Sequence, residues 1–506
     1  FPWAVAAIGL GLWWALPDRE GNSAAPASAS VSGMLPMSVA VLPFADLSES
    51  GDQEWLGDGI AEEIINLLVH ADQLDVIART SSFSFKNRPE ATVATIGQAL
   101  NVPYVLEGSV RRHAGRIRVT AQLIDTTNST HLWSRAYDRP VRDLSETQIS
   151  IASAVADALH VQLVPPDTDR VWARPVDSRS YERSLEGRYF YHRRAPGDLD
   201  RALDRFREAV ALDPENAAAW MYLAGVYHLK VFNGDMSADE GATIMGEAVD
   251  RALALAPNDA EVRARAAQHA RLRGDWSRAW RDLYHARELN PDNWLVLGLF
   301  AGYALRNLDF DTALRLQRRS VELDPLSPLV RGNFAYFLLA AGHFEEAEAE
   351  AIGVTELSSS KAGVMDQVRA DSLLLQGRAA AALAFLDDRA VQFDWPVDDE
   401  SALWISARAM GLHALGRSDE ALEEMDRLAE QPAIFADIGN ARFHAFAGDP
   451  EAAFAALDRL VAALSTLPDG ASSMRIIVNT FRASPFLQPL HDDPRWARFL
   501  EVTGTF

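Results

Sequence analysis

Apolar residues have three different spacings along this chain, and each spacing predicts a different kind of structure. Residues 1–16 are apolar almost without interruption. From residue 38 to 164, short β-branched runs alternate with stretches of helical period, which predicts a mixed α/β domain. From residue 180 onward the helical period continues and small residues recur, which predicts an all-helical array.

The apolar start of the chain has three interpretations: a truncated transmembrane helix, a secretory signal peptide and a buried core helix. A full membrane span needs about 20 apolar residues. No basic n-region or small-residue cleavage site precedes Asp18, which argues against a signal peptide. Trp13 and Trp14 lie where an interfacial aromatic belt is expected, and residues 17–37 form an Ala/Ser/Gly/Pro-rich flexible linker. We therefore expect residues 1–16 to be a transmembrane helix truncated at its start, with another domain before it.

The elements of the α/β region follow from period-two and helical stretches. Strands are predicted at 38–44, 74–79, 104–112, 116–125 and 131–139, and helices at 55–70, 92–100 and 145–163. In the fourth strand Ile117 and Val119 alternate with Arg116 and Arg118, so the arginines should share the opposite face. A glycine turn at 113–115 predicts a hairpin with the preceding strand. The order β-α-β-α-β-β-β-α indicates a mixed sheet.

Several consecutive blocks of this region carry a family resemblance. They are SVAVLPF at 38–44, GDGIAEEI at 57–64, VIARTSSFSFK at 76–86, YVLEGSVRR at 104–112, RVTAQLID at 118–125 and HLWSRAYDR at 131–139. Together they resemble the TolB amino-terminal-like domain family. This domain often lies between a transmembrane helix and tetratricopeptide (TPR) repeats. A winged-helix DNA-binding domain or a class III adenylate cyclase domain commonly precedes the transmembrane helix. The resemblance implies a periplasmic location on a single-pass inner-membrane protein, with a cytoplasmic location as the alternative, and it supplies no catalytic residues.

The helical array carries the TPR period. Pro257, Pro291 and Pro325 recur at equal intervals, which match the length of one TPR unit, about 34 residues. Small residues recur because two antiparallel helices must approach closely, and the proline ends each second helix. Glycine stands five positions before a small residue in three further units: Gly377 and Ala382, Gly416 and Ala421, Gly448 and Ala453.

These signals predict about eight helix pairs over residues 180–464, after a linker at 165–179, with a helical cap over residues 465–506. An expansion of about nine residues is expected between Tyr227 and Ala248. The predicted fold class is thus an α+β mixed-sheet domain of TolB amino-terminal type followed by an all-α TPR solenoid. The tryptophans at or near repeat positions are assigned to packing: Trp220, Trp276, Trp280 and Trp294.

Composition and the absence of known motifs argue against several classes of function. The net charge of −23 argues against generic nucleic-acid binding, and the absence of cysteine excludes disulfides, thiolate metal sites and cysteine nucleophiles. No phosphate-binding loop, nucleophile elbow or paired metal-ligand motif is present, so we expect no catalytic residues, no metal and no cofactor. The adjacent acids Glu62 and Glu63 are interpreted as a solvated helix face. Asp58 is interpreted as a cap of the same helix.

One segment of the α/β region carries an excess of positive charge, although the chain as a whole is acidic. Between Leu74 and Arg142 there are ten basic and five acidic residues. The simpler interpretation is that the arginines line the solvent face of a half-exposed sheet. The alternative is a patch for an anionic partner, such as lipid headgroups, a cell-wall polymer or the acidic array itself. The candidate patch residues are Arg111, Arg112, Arg116, Arg118, Arg135 and Arg139.

The sequence therefore predicts a non-catalytic, membrane-anchored interaction or sensor module. The concave groove of the TPR array would bind a protein or peptide, and the event would be signalled to a domain before the membrane helix. Two alternatives stay open. The chain is the regulatory half of a class III adenylate cyclase, or it is the extracytoplasmic half of a winged-helix transcription regulator.

Overall fold

The computed structural model describes residues 37–71, 73–163, 176–358, 362–393, 402–466 and 481–504. The predicted membrane helix, with the linker after it up to residue 36, lies outside the described residues, as does most of the linker at 165–179. No helix within the described ranges is both long enough and apolar enough to cross a membrane.

The α/β domain contains every strand and helix that the sequence predicts. Its elements are β1 (Ser38–Val41), β2 (Ala45–Asp46), α1 (Glu54–Leu68), β3 (Asp75–Val76), α2 (Arg79–Phe83), α3 (Val93–Leu100), β4 (Tyr104–His113), β5 (Arg116–Asp125), β6 (Thr130–Pro140) and α4 (Leu144–Ala158). Only β2 and α2 lie beyond the sequence prediction, because each is too short to show a period. Thr92 caps α3 as expected, since its side chain accepts a hydrogen bond from the Thr95 backbone N–H.

The sheet is mixed, in the order β3-β1-β4-β5-β6, with β2 also paired to β4. β1 runs parallel to β3 and β4, whereas β4, β5 and β6 are antiparallel neighbours. The predicted hairpin is present, because Arg112 pairs with Ile117 and His113 with Arg116 across a turn at Ala114 and Gly115. One sheet face packs on α1 and α4, and α3 covers the start of the other face. The rest of that second face stays polar, as antiparallel sheets allow.

The helical array consists of eight helix pairs within the described residues, which confirms the predicted number. They are α5 (Ser178–Arg193), α6 (Asp198–Leu212), α7 (Ala217–Phe232), α8 (Ala238–Leu255), α9 (Ala260–Leu272), α10 (Trp276–Leu289), α11 (Trp294–Arg306), α12 (Phe310–Leu323), α13 (Pro328–Ala340), α14 (Phe344–Leu357), α15 (Ala362–Leu375), α16 (Ala379–Phe393), α17 (Ala402–Ala414), α18 (Ser418–Ala429), α19 (Ala433–Phe446) and α20 (Pro450–Ser465). A further helix, Pro494–Gly504, follows near the end of the chain.

Two repeated residues set the geometry of each pair. Each of the three regularly spaced prolines directly follows the residue that ends a second helix: Ala256, Asn290 and Asp324. The turn inside most pairs uses a glycine in the left-handed region, as at Gly377 with φ 74°. Five residues later a fully buried small residue, such as Ala382, lets the two helices meet closely. The predicted expansion is also present, because α7 and α8 have 16 and 18 residues whereas α9 and α10 have 13 and 14.

The first helices of successive pairs contact one another more extensively than the second helices do. They therefore lie on the inner, shorter-radius side of the array. Helix α5 belongs to two hydrophobic cores at once. Its Leu185 is buried in the core of the α/β domain, and its Tyr191 is buried in the core of the first pairs.

Candidate functional site: the contacts between the α/β domain and the array

The main contact joins α1 of the α/β domain to α5 and α7 of the array, and we call it the α1–α5 contact. Its centre is Glu62, which is 5% exposed, beside Glu63, which is 4% exposed. Both carboxylates bind the guanidinium of Arg188, a residue of α5 that is 1% exposed. Charged groups from distant parts of the chain thus meet in a space closed to water.

Glu62 accepts hydrogen bonds from several directions. Its Oε1 lies 3.1 Å from Nε of Arg188, 2.9 Å from the hydroxyl of Tyr222 and 3.2 Å from Nε2 of His192. Its Oε2 also forms an ion pair with Arg79 in α2, whose Nε lies 3.2 Å away without donating a hydrogen bond. A buried carboxylate surrounded by donors in this way has its charge compensated on each side, which buried charges require.

This arrangement corrects the prediction that Glu62 and Glu63 form a solvated helix face. The prediction assumes that sequence neighbours on a helix do not share a face, but a guanidinium is wide enough to reach both carboxylates when a second helix packs across them. The sequence does contain a signal, because glycine inside a helix is unfavourable without a packing reason. A Cβ atom added to Gly59 would lie 2.9 Å from Cδ2 of Leu185, so Gly59 allows α5 to approach α1 closely.

The acidic residues before Glu62 are also engaged. Asp58 is 3% exposed and lies 2.7 Å from Nζ of Lys86, which in turn is 2.8 Å from Oε1 of Glu54. The prediction that Asp58 caps its helix is therefore wrong. The helix begins at Glu54, one turn earlier, and its N-cap Gln53 makes no side-chain capping bond. Asp58 lies inside the helix and serves as an ion-pair partner of the segment around α2.

The pKa values of the two carboxyl groups at the α1–α5 contact are shifted in opposite directions. Burial alone would raise the pKa of Glu62, but Arg188 and the other cations outweigh it and hold the pKa well below its usual range. Burial raises the pKa of Glu63, and Arg188 offsets this only in part. Burial lowers the pKa of His192 to about 4, so His192 is neutral at pH 7. The contact at neutral pH thus rests on ionised Glu62 and Arg188.

A second contact lies at the fourth helix pair, and we call it the Asp324 contact. The backbone N–H of Ser81 donates to Oδ1 of Asp324 at 3.0 Å, and the hydroxyl of Ser81 accepts from the backbone N–H of Leu326 at 2.8 Å. The side chain of Leu326 packs on the hydrophobic core around α3. Burial raises the pKa of Asp324 to about 6 in spite of these hydrogen bonds. The α/β domain is therefore held by the first and the fourth parts of the array together.

The six arginines of the candidate anionic patch do not share one face. Paired strand positions place Arg111 and Arg118 side by side, and alternation along β5 puts Arg116 on the same face. As predicted, Arg116 and Arg118 lie opposite Ile117 and Val119, which are buried. The other three, Arg112, Arg135 and Arg139, pair in register with residues of the buried face and lie at its margin.

Three of these arginines already have acidic partners. Arg112 lies 3.1 Å from Glu182, Arg116 lies 2.7 Å from Asp138, and Arg139 lies 3.5 Å from Glu146. Arg135 lies over the ring of Tyr137, with its guanidinium carbon 5.3 Å from the ring centre. Binding to an anionic surface stays a prediction. Because Arg111 and Arg118 lie side by side on one face, they are the residues to which that prediction now mainly applies.

The four tryptophans assigned to packing differ in exposure. Trp220, Trp276 and Trp294 are partly buried against the cores of the array. Trp280 is 39% exposed, although its ring centre lies 5.1 Å from that of Phe300. Within the described part of the chain, no three His, Asp or Glu side chains form a group that could hold a metal ion.

Comparison with known proteins finds a relative by sequence and two kinds of similar solved structure. A protein of Rhizobium meliloti named "Putative adenylate cyclase 3" is 39% identical over 186 residues, which are 36% of this chain and 31% of that protein. This chain therefore matches about a third of the relative's length. No family model matches the chain.

Two kinds of solved structure are similar. A tetratricopeptide repeat protein of Parabacteroides merdae is 16% identical, with a TM-score of 0.34, and the match covers 50% of this chain and 92% of that one. TolB from Acinetobacter baumannii is 17% identical, with a TM-score of 0.19, over 28% of this chain and 31% of that one. The array is TPR-like by its own geometry, namely helix pairs with prolines at regular intervals.

Proposed function

We propose that this chain is a non-catalytic interaction module in which the α/β domain is an intramolecular ligand of the TPR-like array. A protein or peptide partner that binds either part would change the contact between them, and the change would pass to whatever domain the α/β part is attached to. The observation that carries this proposal is the burial of Arg188 against Glu62 and Glu63 across the two parts.

An ionic contact suits a reversible arrangement. When two parts separate, buried charges regain water, which offsets much of the Coulombic attraction that is lost. An apolar surface of the same area has no such compensation, because exposing it to water is unfavourable throughout. The α1–α5 contact contains few apolar residues from the array, chiefly Leu185 and Tyr181. Separating the two parts at the α1–α5 contact should therefore cost less free energy than the area of the contact suggests.

The test is to break the ionic contact in the full chain without removing bulk. The variant Arg188→Met keeps a long side chain but leaves both carboxylates without their main cation. We expect faster amide hydrogen exchange in α1 and α5, while exchange in α13 to α16 stays unchanged. The matched control is Arg183→Met, because Arg183 is on the same helix and pairs with Glu186 at the surface. Equal exchange in Arg188→Met and the native chain would contradict the proposal.

A second candidate is that the chain is the regulatory part of an adenylate cyclase, and the similarity to the rhizobial protein favours it. We expect residues 37–506 alone to form no cyclic AMP from ATP, since no phosphate-binding motif is present. A chimera joining residues 37–506 to the unmatched part of the rhizobial protein should form cyclic AMP at a rate that Arg188→Met changes. An unchanged rate would count against this candidate and leave the first one standing. The membrane anchor and the periplasmic location stay predictions of the sequence.

A further inference from the structure

A second group of arginines lies on the array, and we call it the Arg271 cluster. Arg271 is near the end of α9, Arg306 ends α11, and Arg482 comes from the segment before the last helix. The hydroxyl of Tyr303 is close enough to Arg271, and the charge of Arg306 close enough to Arg482, to act on their pKa values, so the three arginines are neighbours with two aromatic residues among them. The guanidinium carbon of Arg306 is 3.9 Å from the centre of the Trp276 ring, and the centres of Trp276 and Tyr303 are 6.0 Å apart.

Several polar atoms of this cluster are buried and have no hydrogen-bond partner among the described residues. They are Nε of Arg271, Nε1 of Trp276, the hydroxyl of Tyr303 and Nε of Arg482. Tyr303 is 9% exposed and Arg482 is 8% exposed. Buried polar groups are nearly always paired, and leaving one unpaired costs free energy. Several such atoms in one place therefore call for a ligand.

Other buried arginines of this array show what a balanced site looks like. Arg331 lies 2.7 Å from Glu350, and Arg442 lies 2.6 Å from Asp371. By contrast, no ion pair joins Arg271 or Arg482 to a carboxylate within the described ranges. Burial lowers the pKa of Arg271, and burial together with the charge of Arg306 lowers the pKa of Arg482 to about 10. Arg482 is thus buried, and Arg271 partly buried, without an ion-pair partner among the described residues.

We propose that Arg271, Arg306, Arg482 and Tyr303 form a binding site for a phosphate dianion, either free or as the phosphate group of a small organic molecule. The guanidinium and indole groups only donate hydrogen bonds, and the tyrosine hydroxyl can donate as well, so the ligand must consist of acceptors. Arginine is the side chain best suited to phosphate oxygens. Two cations without an ion-pair partner in the described ranges, Arg271 and Arg482, exceed the single charge of a carboxylate, which favours a dianion. The site shares no residue with the α1–α5 contact, so its failure would leave the proposed function untouched.

The experiment is isothermal titration calorimetry of the full chain at pH 7.5 and constant ionic strength. The probes are sodium phosphate, adenosine monophosphate and sodium acetate. We expect saturable binding of phosphate at one site and none of acetate. Tighter binding of the adenosine compound than of phosphate would identify an organic phosphate as the source, and equal binding would identify the free ion. Absence of saturable phosphate binding, or equal binding of acetate, would overturn the proposal.

Substitutions separate a binding role from a packing role. Arg271→Gln and Arg482→Gln should each weaken phosphate binding about tenfold or more, the effect of losing one charge-assisted hydrogen bond. Without phosphate, the melting temperature of these variants should not fall, because each removes a cation that has no ion-pair partner in the described ranges. The matched control is Arg287→Gln, because Arg287 also lies over an aromatic ring, 4.6 Å from the centre of Phe300, but is exposed. Native affinity in both cluster variants, or a lower melting temperature with unchanged affinity, would make these arginines structural.

Discussion

The α1–α5 contact and the Asp324 contact, which both join the α/β domain to the array, centre on buried acids with different partners. At the α1–α5 contact an ionised carboxylate, Glu62, meets the guanidinium of Arg188. At the Asp324 contact, a carboxyl group meets the hydroxyl and backbone of Ser81, with no cation among its hydrogen-bond partners in the described ranges. The pKa of Glu62 is therefore held well below its usual range, whereas that of Asp324 is raised to about 6. Two buried acids that secure the same domain thus respond to pH in opposite ways.

The largest effect should come from breaking the ion pair at the α1–α5 contact. Arg188→Met leaves Glu62 and Glu63 buried without their main cation, and we expect a loss of about 3–5 kcal/mol in the free energy of unfolding. Urea unfolding followed by circular dichroism measures it. The triple variant that adds Glu62→Gln and Glu63→Gln should recover part of the loss, because no unpaired charge remains. A triple variant less stable than Arg188→Met would show that the charges themselves are not responsible.

The close approach of α5 to α1 gives the next largest effect. In Gly59→Ala the new methyl group would lie 2.9 Å from Cδ2 of Leu185, and overpacking of this kind costs about 1–3 kcal/mol. The matched control is Gly298→Ala, because Gly298 is also inside a helix but its added Cβ meets nothing within 4 Å. That control should gain about 0.5–1 kcal/mol from its better helix propensity. Equal stability of the two variants would remove the packing reason for Gly59.

Two groups, His192 at the α1–α5 contact and Asp324 at the other, contribute to the pH dependence of stability with opposite signs. The pKa of His192 falls from 6.5 to about 4 on folding, so the folded chain binds fewer protons in this window and loses stability as the pH falls through it. The charges of Glu62, Arg79 and Arg194 act on His192, and the rings of Tyr191 and Tyr222 lie against it. The pKa of Asp324 rises from 3.8 to about 6, so the folded chain binds more protons there and gains stability as the pH falls.

Two variants separate these pH effects. His192→Gln should lose less stability than the native chain between pH 6.5 and 4, and Asp324→Asn should lose more, each by about 1–2 kcal/mol. Urea midpoints measured across this range would show the divergence. Parallel pH curves for the native chain and both variants would mean that neither group titrates as the contacts require.

The smallest effect is expected on the face of the β4–β5 hairpin that takes part in neither of these two contacts. Arg111→Glu with Arg118→Glu should weaken cosedimentation of the chain with anionic vesicles, by about 1 kcal/mol per arginine, and high salt should do the same. The matched control is Arg112→Glu with Arg139→Glu, because those arginines have acidic partners. Equal binding of the native chain to anionic and neutral vesicles would leave Arg111 and Arg118 as an ordinary solvated face.

Regular features of this fold could be predicted because their cause is local. The alternation around Ile117 fixes β5, and the regularly spaced prolines fix the ends of α8, α10 and α12. The candidate site could not be predicted, because its partners are remote. Glu63 binds Arg188 at a separation of 125 residues, and Ser81 binds Asp324 at a separation of 243. No period in the sequence reports such pairs, although the helical Gly59 indicates that another element comes close.

Helix α5 has a mechanical consequence for the molecule. It runs for 16 residues from Ser178 to Arg193, a rigid rod of about 24 Å, and its two parts are anchored in different cores through Leu185 and Tyr191. A tilt of about 10° about one end would displace the far end by about 4 Å over that length. Arg188 is the eleventh residue of this helix, about 15 Å from Ser178, so the same tilt about that end would move it by about 2.6 Å. Added to the 2.9 Å between its guanidinium and Glu62, a movement of that size exceeds hydrogen-bond distance. A small rotation of the first helix pair would thus break the charge pairing beneath it.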